Sequence, residues 1–271
     1  MAWERRDLAA AGEWYLKSLA VLEKHGVDGG AAMTYHQLGT IALDKQDFPV
    51  AREWYLKSLA ITEMQGDAHS AGITYHQLGM LAQREQKFAA AREWYLKSLA
   101  IKEEQGDEYG TANTYHQLGM VAEEERDFAV AREWYLKSLA ISEKQRIEGG
   151  AALAYHHLGV VAQEQQDFAA ARDWYLKSLA IKERQGNLRG AASTYGQLGT
   201  MAGIQGSFEQ SGRWFARSIV AFAETHDQLG AKQGVENFLL LHRLAPPADK
   251  QKLEAIWREA KLGPFPTEPN Q

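Results

Sequence analysis

The sequence predicts an all-α solenoid of antiparallel helix pairs, and three observations predict it. The string Ala-Arg-Glu-Trp-Tyr-Leu-Lys-Ser-Leu-Ala-Ile runs from Ala51 to Ile61, returns at Ala91 to Ile101 and Ala131 to Ile141, and is nearly copied from Ala171 to Ile181, a step of 40 residues. Degenerate copies at Ala11 to Val21 and Ser211 to Ala221 make six units, and self-similarity at such a period marks stacked repeats. Within each period the apolar and small residues fall three or four apart, the spacing of one helical face, and short breaks bearing Gly or Pro separate the runs.

The elements follow in order. Residues 1–28 read as a half repeat: Leu8 aligns with Phe48, so only a second helix and the tail of a first one are expected. The edge carrying Trp3, Trp14 and Leu19 is then incomplete, and should pack on a further domain of a larger protein or on a second copy of the chain. In the next repeat Tyr35, Leu38, Gly39 and Ala42 mark a first helix from Gly30 to about Gln46. A break at Asp47 with Phe48 and Pro49 opens a second helix carrying Ala51, Trp54, Tyr55, Ser58, Leu59 and Ile61, with Pro suited to a first turn and Gly66 to the left-handed close. Repeats start again near 70, 110, 150 and 190, and the array extends to 227. Leu229 to Leu244, where Leu239 stands in the place of the close-packing glycine, and Ala248 to Lys261 read as a capping helix pair within 228–262; 263–271 reads as a flexible tail.

Composition excludes several classes of function. A formal charge of −5, with Lys and Glu alternating instead of clustering, gives no attraction for a phosphate backbone, so nucleic acid is not an expected partner. The chain has no Cys, hence no disulfide, no thiolate nucleophile and no Cys-type zinc site, in keeping with a cytoplasmic setting. No apolar run is long enough to span a bilayer, and no phosphate loop, nucleophile elbow or His-Glu-x-x-His motif is present. An enzyme is therefore not expected, and neither a cofactor nor a metal is called for.

Tyr35, Leu38, Gly39, Ala42, Phe48, Ala51, Tyr55 and Ser58, recurring as Tyr75, Leu78, Gly79, Ala82, Phe88, Ala91, Tyr95 and Ser98, resemble the tetratricopeptide repeat over roughly residues 1–226. Three departures stand out. The usual proline after the second helix is Glu63, Glu103, Glu143 and Glu183, the small residue facing it is Ser instead of Ala, and the period is 40 instead of 34. The long variant is similar to kinesin light chain and spindle-orientation adaptor repeats, and to arrays on bacterial STAND-type signalling ATPases. The resemblance implies a right-handed superhelix whose first helices line a concave groove. Carried onto this chain, the groove consists of His36, His76, His116 and His156 with Thr40, Met80, Met120, Val160 and Thr200. Met33, Ile73, Asn113, Leu153 and Ser193 flank it, with Leu43, Gln83, Glu123 and Gln163 at the far edge. Domains of this family that clamp a C-terminal carboxylate use Lys, Asn and Arg there, and that activity is not implied.

The histidine ladder admits three readings. A metal site conflicts with distance, because packed helices lie about 8–10 Å apart while zinc ligands sit ~2.0–2.1 Å from the ion. The rings could instead pack and hydrogen-bond across repeat interfaces, or form a recognition stripe of neutral imidazoles for a bound peptide. The Trp at 14, 54, 94, 134, 174 and 214 reads as packing, and pairs such as Glu53 with Lys57 read as solvated i to i+4 partners. The expected function is a non-enzymatic module that binds a protein or peptide in the groove, as part of a larger signalling or sensor protein. The alternative is a self-assembly module that forms a homodimer through the N-terminal edge.

Overall fold

A computed structural model describes residues 2–266, with side chains from residue 8 onward. Among the described residues there are thirteen helices and no strands. A single helix, α1 (Ala2–Lys24), comes first. Five pairs follow: α2 (Asp28–Asp44) with α3 (Phe48–Met64), α4 (Ala68–Arg84) with α5 (Phe88–Glu104), α6 (Glu108–Glu124) with α7 (Phe128–Lys144), α8 (Glu148–Glu164) with α9 (Phe168–Arg184), and α10 (Leu188–Ile204) with α11 (Phe208–Glu224). Then come α12 (Gln228–Leu244) and α13 (Pro247–Glu259). The chain forms two compact units, the first through Ile141 and the second from Ser142.

Three-residue turns make the hairpins tight. At the end of α2, Asp47 N donates to Ala42 O (2.9 Å) and Gln46 N to Leu43 O (3.0 Å), a Schellman close with Gln46 at φ 61°. The Asp47 carboxylate then accepts from Val50 N and caps α3. Gly66, at φ 68°, closes α3 in the same way before Asp67 caps α4. The glycine closes are visible in the sequence. Gln46, Gln86 and Arg126 taking the same left-handed conformation are not, because the tertiary hairpin outweighs a local cost of about 1–2 kcal/mol.

Within the first unit the pairs close on tyrosine. Tyr55, Tyr95 and Tyr135 are fully buried and lie on Gly39, Gly79 and Gly119, where an added Cβ would come within 2.5–2.6 Å of the ring. Ser98 Oγ donates to Gly72 O and Ser138 Oγ to Ala112 O, both 2.8 Å, so the Ser that replaces the family's Ala stitches second helix to first. The Glu in the family's proline position links successive pairs: Tyr75 Oη donates to Glu63 and Tyr115 Oη to Glu103. Each Trp stacks on the Tyr of its own pair, Trp54 on Tyr35 at 5.4 Å and Trp94 on Tyr75 at 5.7 Å, with Lys57 and Lys97 over the indoles. These are packing roles.

The second unit repeats the scheme, with Tyr175 on Gly159 and then Phe215 on Gly199. Leu239 holds the usual glycine position of α12, and close approach moves to Gly234 under Ile219 and Gly230 under Phe222. Helix α13 packs on α11 through Leu253 above Gly212.

Two stretches differ from the sequence reading. Helix α1 continues through Leu8 without the expected break. Residues 263–266, read as the start of a tail, fold back: Trp257 Nε1 donates to Gly263 O (3.1 Å), and Phe265 packs on Trp257 and His242 because its ring is apolar. The remainder, 267–271, lies outside the described residues.

Gly79→Ala and Gly119→Ala should each cost about 1–3 kcal/mol by overpacking the Tyr ring. A lower urea midpoint at unchanged slope is the readout. Gly149→Ala, whose Cβ meets nothing within 4 Å, is the control and should not lower the midpoint.

Candidate functional site

The first helices of each unit have one face that packing leaves open. On α4, residues 71, 72, 74, 75, 76, 78, 79, 81 and 82 are buried, and Ile73, Gln77 and Met80 form the open line at i, i+4 and i+7. The same line is Met33, Gln37 and Thr40 on α2, and Asn113, Gln117 and Met120 on α6. In the second unit it is Leu153, His157 and Val160 on α8, and Ser193, Gln197 and Thr200 on α10. Met33 is 70 % exposed.

The histidines lie one residue off this line and turn inward. His76 is 8 % exposed, tilted on the Tyr95 ring at 5.2 Å, with Nδ1 3.4 Å from Thr114 Oγ1 of the next first helix. His36 does the same with Tyr55 and Thr74, and in the second unit His156 with Tyr175 and Thr194. His116 is buried against Tyr135. Thr114 Oγ1 gives its hydrogen to Gly110 O (2.8 Å) and takes one from Lys102 Nζ (3.0 Å). With its only hydrogen given away, Thr114 Oγ1 can only accept at the His76 contact, which assigns His76 the neutral Nδ1–H tautomer. Burial and the Lys102 ammonium lower the His76 pKa to about 4, and burial lowers that of His36. Rings buried between repeats are packing elements, so the ladder does not form an open imidazole stripe at His76 and His116.

The other residues expected in the groove are placed as follows. Asn113 is exposed; Thr40, Met80, Met120 and Val160 are half-buried along the open line. Leu43 is buried. Gln83, Glu123 and Gln163 accept the hydroxyls of Tyr95, Tyr135 and Tyr175, so these far-edge groups are tied to the hairpin core. Gln37, Gln77, Gln117, His157 and Gln197 were missed. The signal for them was in the sequence: each is four residues after Met33 or its equivalent and three before Thr40 or its equivalent.

At the N-terminal edge, Trp14 is 70 % exposed, with Lys17 over its ring. Leu19 is instead buried against Ala31 and Leu38 of α2, because it points along the chain to the next helix. The Trp3 side chain lies outside the described residues. Among the described residues no group of three His, Asp or Glu could hold a metal ion. Nor is any helix of the described residues long and apolar enough to cross a membrane.

Among the first helices of the first unit acidic residues outnumber basic ones. Helices α2, α4 and α6 carry Asp28, Asp44, Glu108, Glu123 and Glu124 against Arg84. A cavity of about 350 Å³ opens between α2, the end of α3 and the start of α4, bordered by Met33, Gln37, Thr62, Asp67, Ile73 and Thr74.

The sequence profile described as "Tetratricopeptide repeat" matches residues 70–144 and 150–226, more than half of the chain. No curated protein sequence matches. Among solved structures, the chain is similar to BtubC (BKLC) from P. vanneervenii, at 19 % identity and TM-score 0.64 over 98 % of this chain and 95 % of that one. It is also similar to the signal transduction ATPase with numerous domains (STAND) protein with a tetratricopeptide repeat sensor from Pyrococcus horikoshii. There the identity is 14 % and the TM-score 0.72, over 88 % of this chain and 37 % of that one. A Podosopora anserina putative kinesin light chain with nearly identical repeats gives 16 % and 0.58, over 68 % and 91 %. At such identities the likeness is one of fold.

The placement of His76 sets a pH dependence. Its pKa falls from the ordinary 6.5 to about 4 on folding, so the unfolded chain takes up the proton first. The stability this ring contributes is full above about pH 6.5 and is lost as the pH falls toward 4. His76→Gln should flatten urea-derived stability against pH in that window by up to about 1.4 kcal/mol per pH unit. Identical slopes in the two proteins would contradict the buried neutral ring.

Proposed function

We propose, given that the chain belongs to the tetratricopeptide repeat family, that it is a non-enzymatic interaction module which binds a peptide or partner helix along the open face of its first helices. The observation that carries the reading is the line of Met33, Gln37 and Thr40, Ile73, Gln77 and Met80, and Asn113, Gln117 and Met120, which the packing of the first helices leaves exposed or half-buried. Carboxamides can donate to and accept from a peptide backbone, and the Met and Ile side chains adapt to apolar residues between. The tetratricopeptide fold is in general one of protein–protein interaction, which fits a protein or peptide partner. We place the module in a larger signalling or sensor protein, as the repeat sensor of the STAND protein is one part of a longer chain.

A second reading has its own observation. Trp14 stands exposed with Val21, seven residues on along the same face of α1, an apolar pair suited to association with a second copy.

The groove reading is tested by selecting displayed peptides on the chain and measuring the enriched ones against a Gln37→Ala, Ile73→Ala, Asn113→Ala variant. Affinity should fall about tenfold or more at unchanged melting temperature, since several contacts are lost together. Equal affinity would overturn it. For self-association, light scattering should show a concentration-dependent dimer that Trp14→Glu abolishes.

A further inference from the structure

Position 102 in the repeat is occupied by a buried cation, and the same position one repeat earlier is not. Lys102, on α5, is 9 % exposed and reaches α6, where its ammonium donates to Thr114 Oγ1 (3.0 Å). Asp107, the cap of α6, favours its charged form against the cost of burial. The second unit repeats the arrangement, with Lys182 Nζ on Thr194 Oγ1 at 2.9 Å.

The residues that receive the ammonium recur between α3 and α4. Thr74 Oγ1 donates to Ser70 O (3.0 Å) and lies 3.2 Å from His36 Nδ1, as Thr114 Oγ1 does with Gly110 O and His76. Asp67 caps α4 as Asp107 caps α6. Thr62 takes the place of Lys102, and its hydroxyl turns back to Leu59 O on its own helix (3.0 Å). The cavity of about 350 Å³ described above lies where the lysine chain would run. Its border holds Asp67, the His36 imidazole, hydroxyls and carboxamides, and neither Lys nor Arg. It opens beside Met33 and Ile73 on the line that the proposed function assigns to a peptide, among helices α2, α4 and α6 whose carboxylates outnumber their Arg and Lys.

We propose that this cavity is a receptor for a basic side chain, arginine or lysine, of a peptide bound along the first helices. The ammonium or guanidinium donates to Thr74 Oγ1 and faces Asp67, in the manner of Lys102 at the following interface, while its aliphatic stem passes between Met33 and Ile73. Position 62 thereby distinguishes an interface that supplies its own cation from one that takes a partner's. The inference rests on the peptide-binding reading and adds the chemistry of one anchoring residue.

The test titrates the full-length ¹⁵N-labelled chain with N-acetyl-arginine amide, N-acetyl-lysine amide and N-acetyl-citrulline amide, the neutral isostere of the first. Amide shifts at Gln37, Ile73 and Thr74 are expected with the two cations and not with citrulline. Thr62→Lys should fill the cavity as Lys102 does and abolish the shifts without lowering the melting temperature. Asp67→Asn should weaken binding about tenfold, one charge-assisted contact. The cap survives that change, since Asn187 Oδ1 caps α10 by accepting from Gly190 N (2.9 Å). Equal shifts with citrulline amide, no shifts with any probe, or undiminished binding by a folded Thr62→Lys chain would overturn the proposal. If displayed peptides bind and depend on the open line yet ignore both substitutions, the cavity inference fails and the groove reading stands. If arginine amide binds and no displayed peptide does, the groove reading fails, and with it the peptide as the source of the basic group.

Discussion

The contact on which the rest depends is a tyrosine ring lying flat on a glycine. Tyr95 sits where a Cβ on Gly79 would be, 2.6 Å from the ring, and the same holds for Tyr55 on Gly39 and Tyr135 on Gly119. Without the glycine the two helices of a pair could not approach closely enough for Ser98 Oγ to reach Gly72 O, or for Trp94 to stack on Tyr75. The Tyr75–Glu63 and Tyr115–Glu103 links between pairs require that constant spacing. Toward the end of the chain the ring becomes Phe215, still on a glycine, Gly199, and in α12 the close approach passes to Gly234 under the Ile219 side chain.

A polar lattice lies over this apolar scaffold, and most side chains that look functional belong to it. Histidine recurring at a fixed period suggests a ligand, but a ring next to Tyr and Thr of the neighbouring helix is a spacer with a hydrogen-bonding edge. Its neutrality follows from burial and from the adjacent Lys102. Burying an ammonium is costly unless a hydroxyl and a carboxylate attend it, which is the arrangement of Thr114 and Asp107 around Lys102. Identical scaffolds therefore leave room for functional difference at positions the lattice tolerates varying, such as 62 and 102, and on the open line at 33, 73 and 113.

Much of the fold was legible in the sequence and less of the candidate site. Helix pairs, their breaks at Asp47 and Gly66, and the packing role of Trp and Tyr follow from period, spacing and turn chemistry. The groove residues came from a family resemblance by register, and register resolves a helix face only to about 100° per residue. One step separates His76, which points inward, from Gln77, which is part of the open line. A sequence cannot show that Tyr95 and Thr114 close around one and leave the other free.

By itself, then, the sequence determined the class of fold, the number and order of the repeated units, and the residues every pair must keep, because these depend on local periodicity and on steric demands that recur every 40 residues. Only the tertiary structure decided which polar groups are spent on the lattice, that Leu19 and His76 are interior, that Phe265 folds back, and that Thr62 leaves a cavity where Lys102 fills one. The physical reason is that burial belongs to neighbours far apart in the chain: the same side chain is packing or recognition according to what the next helix places against it.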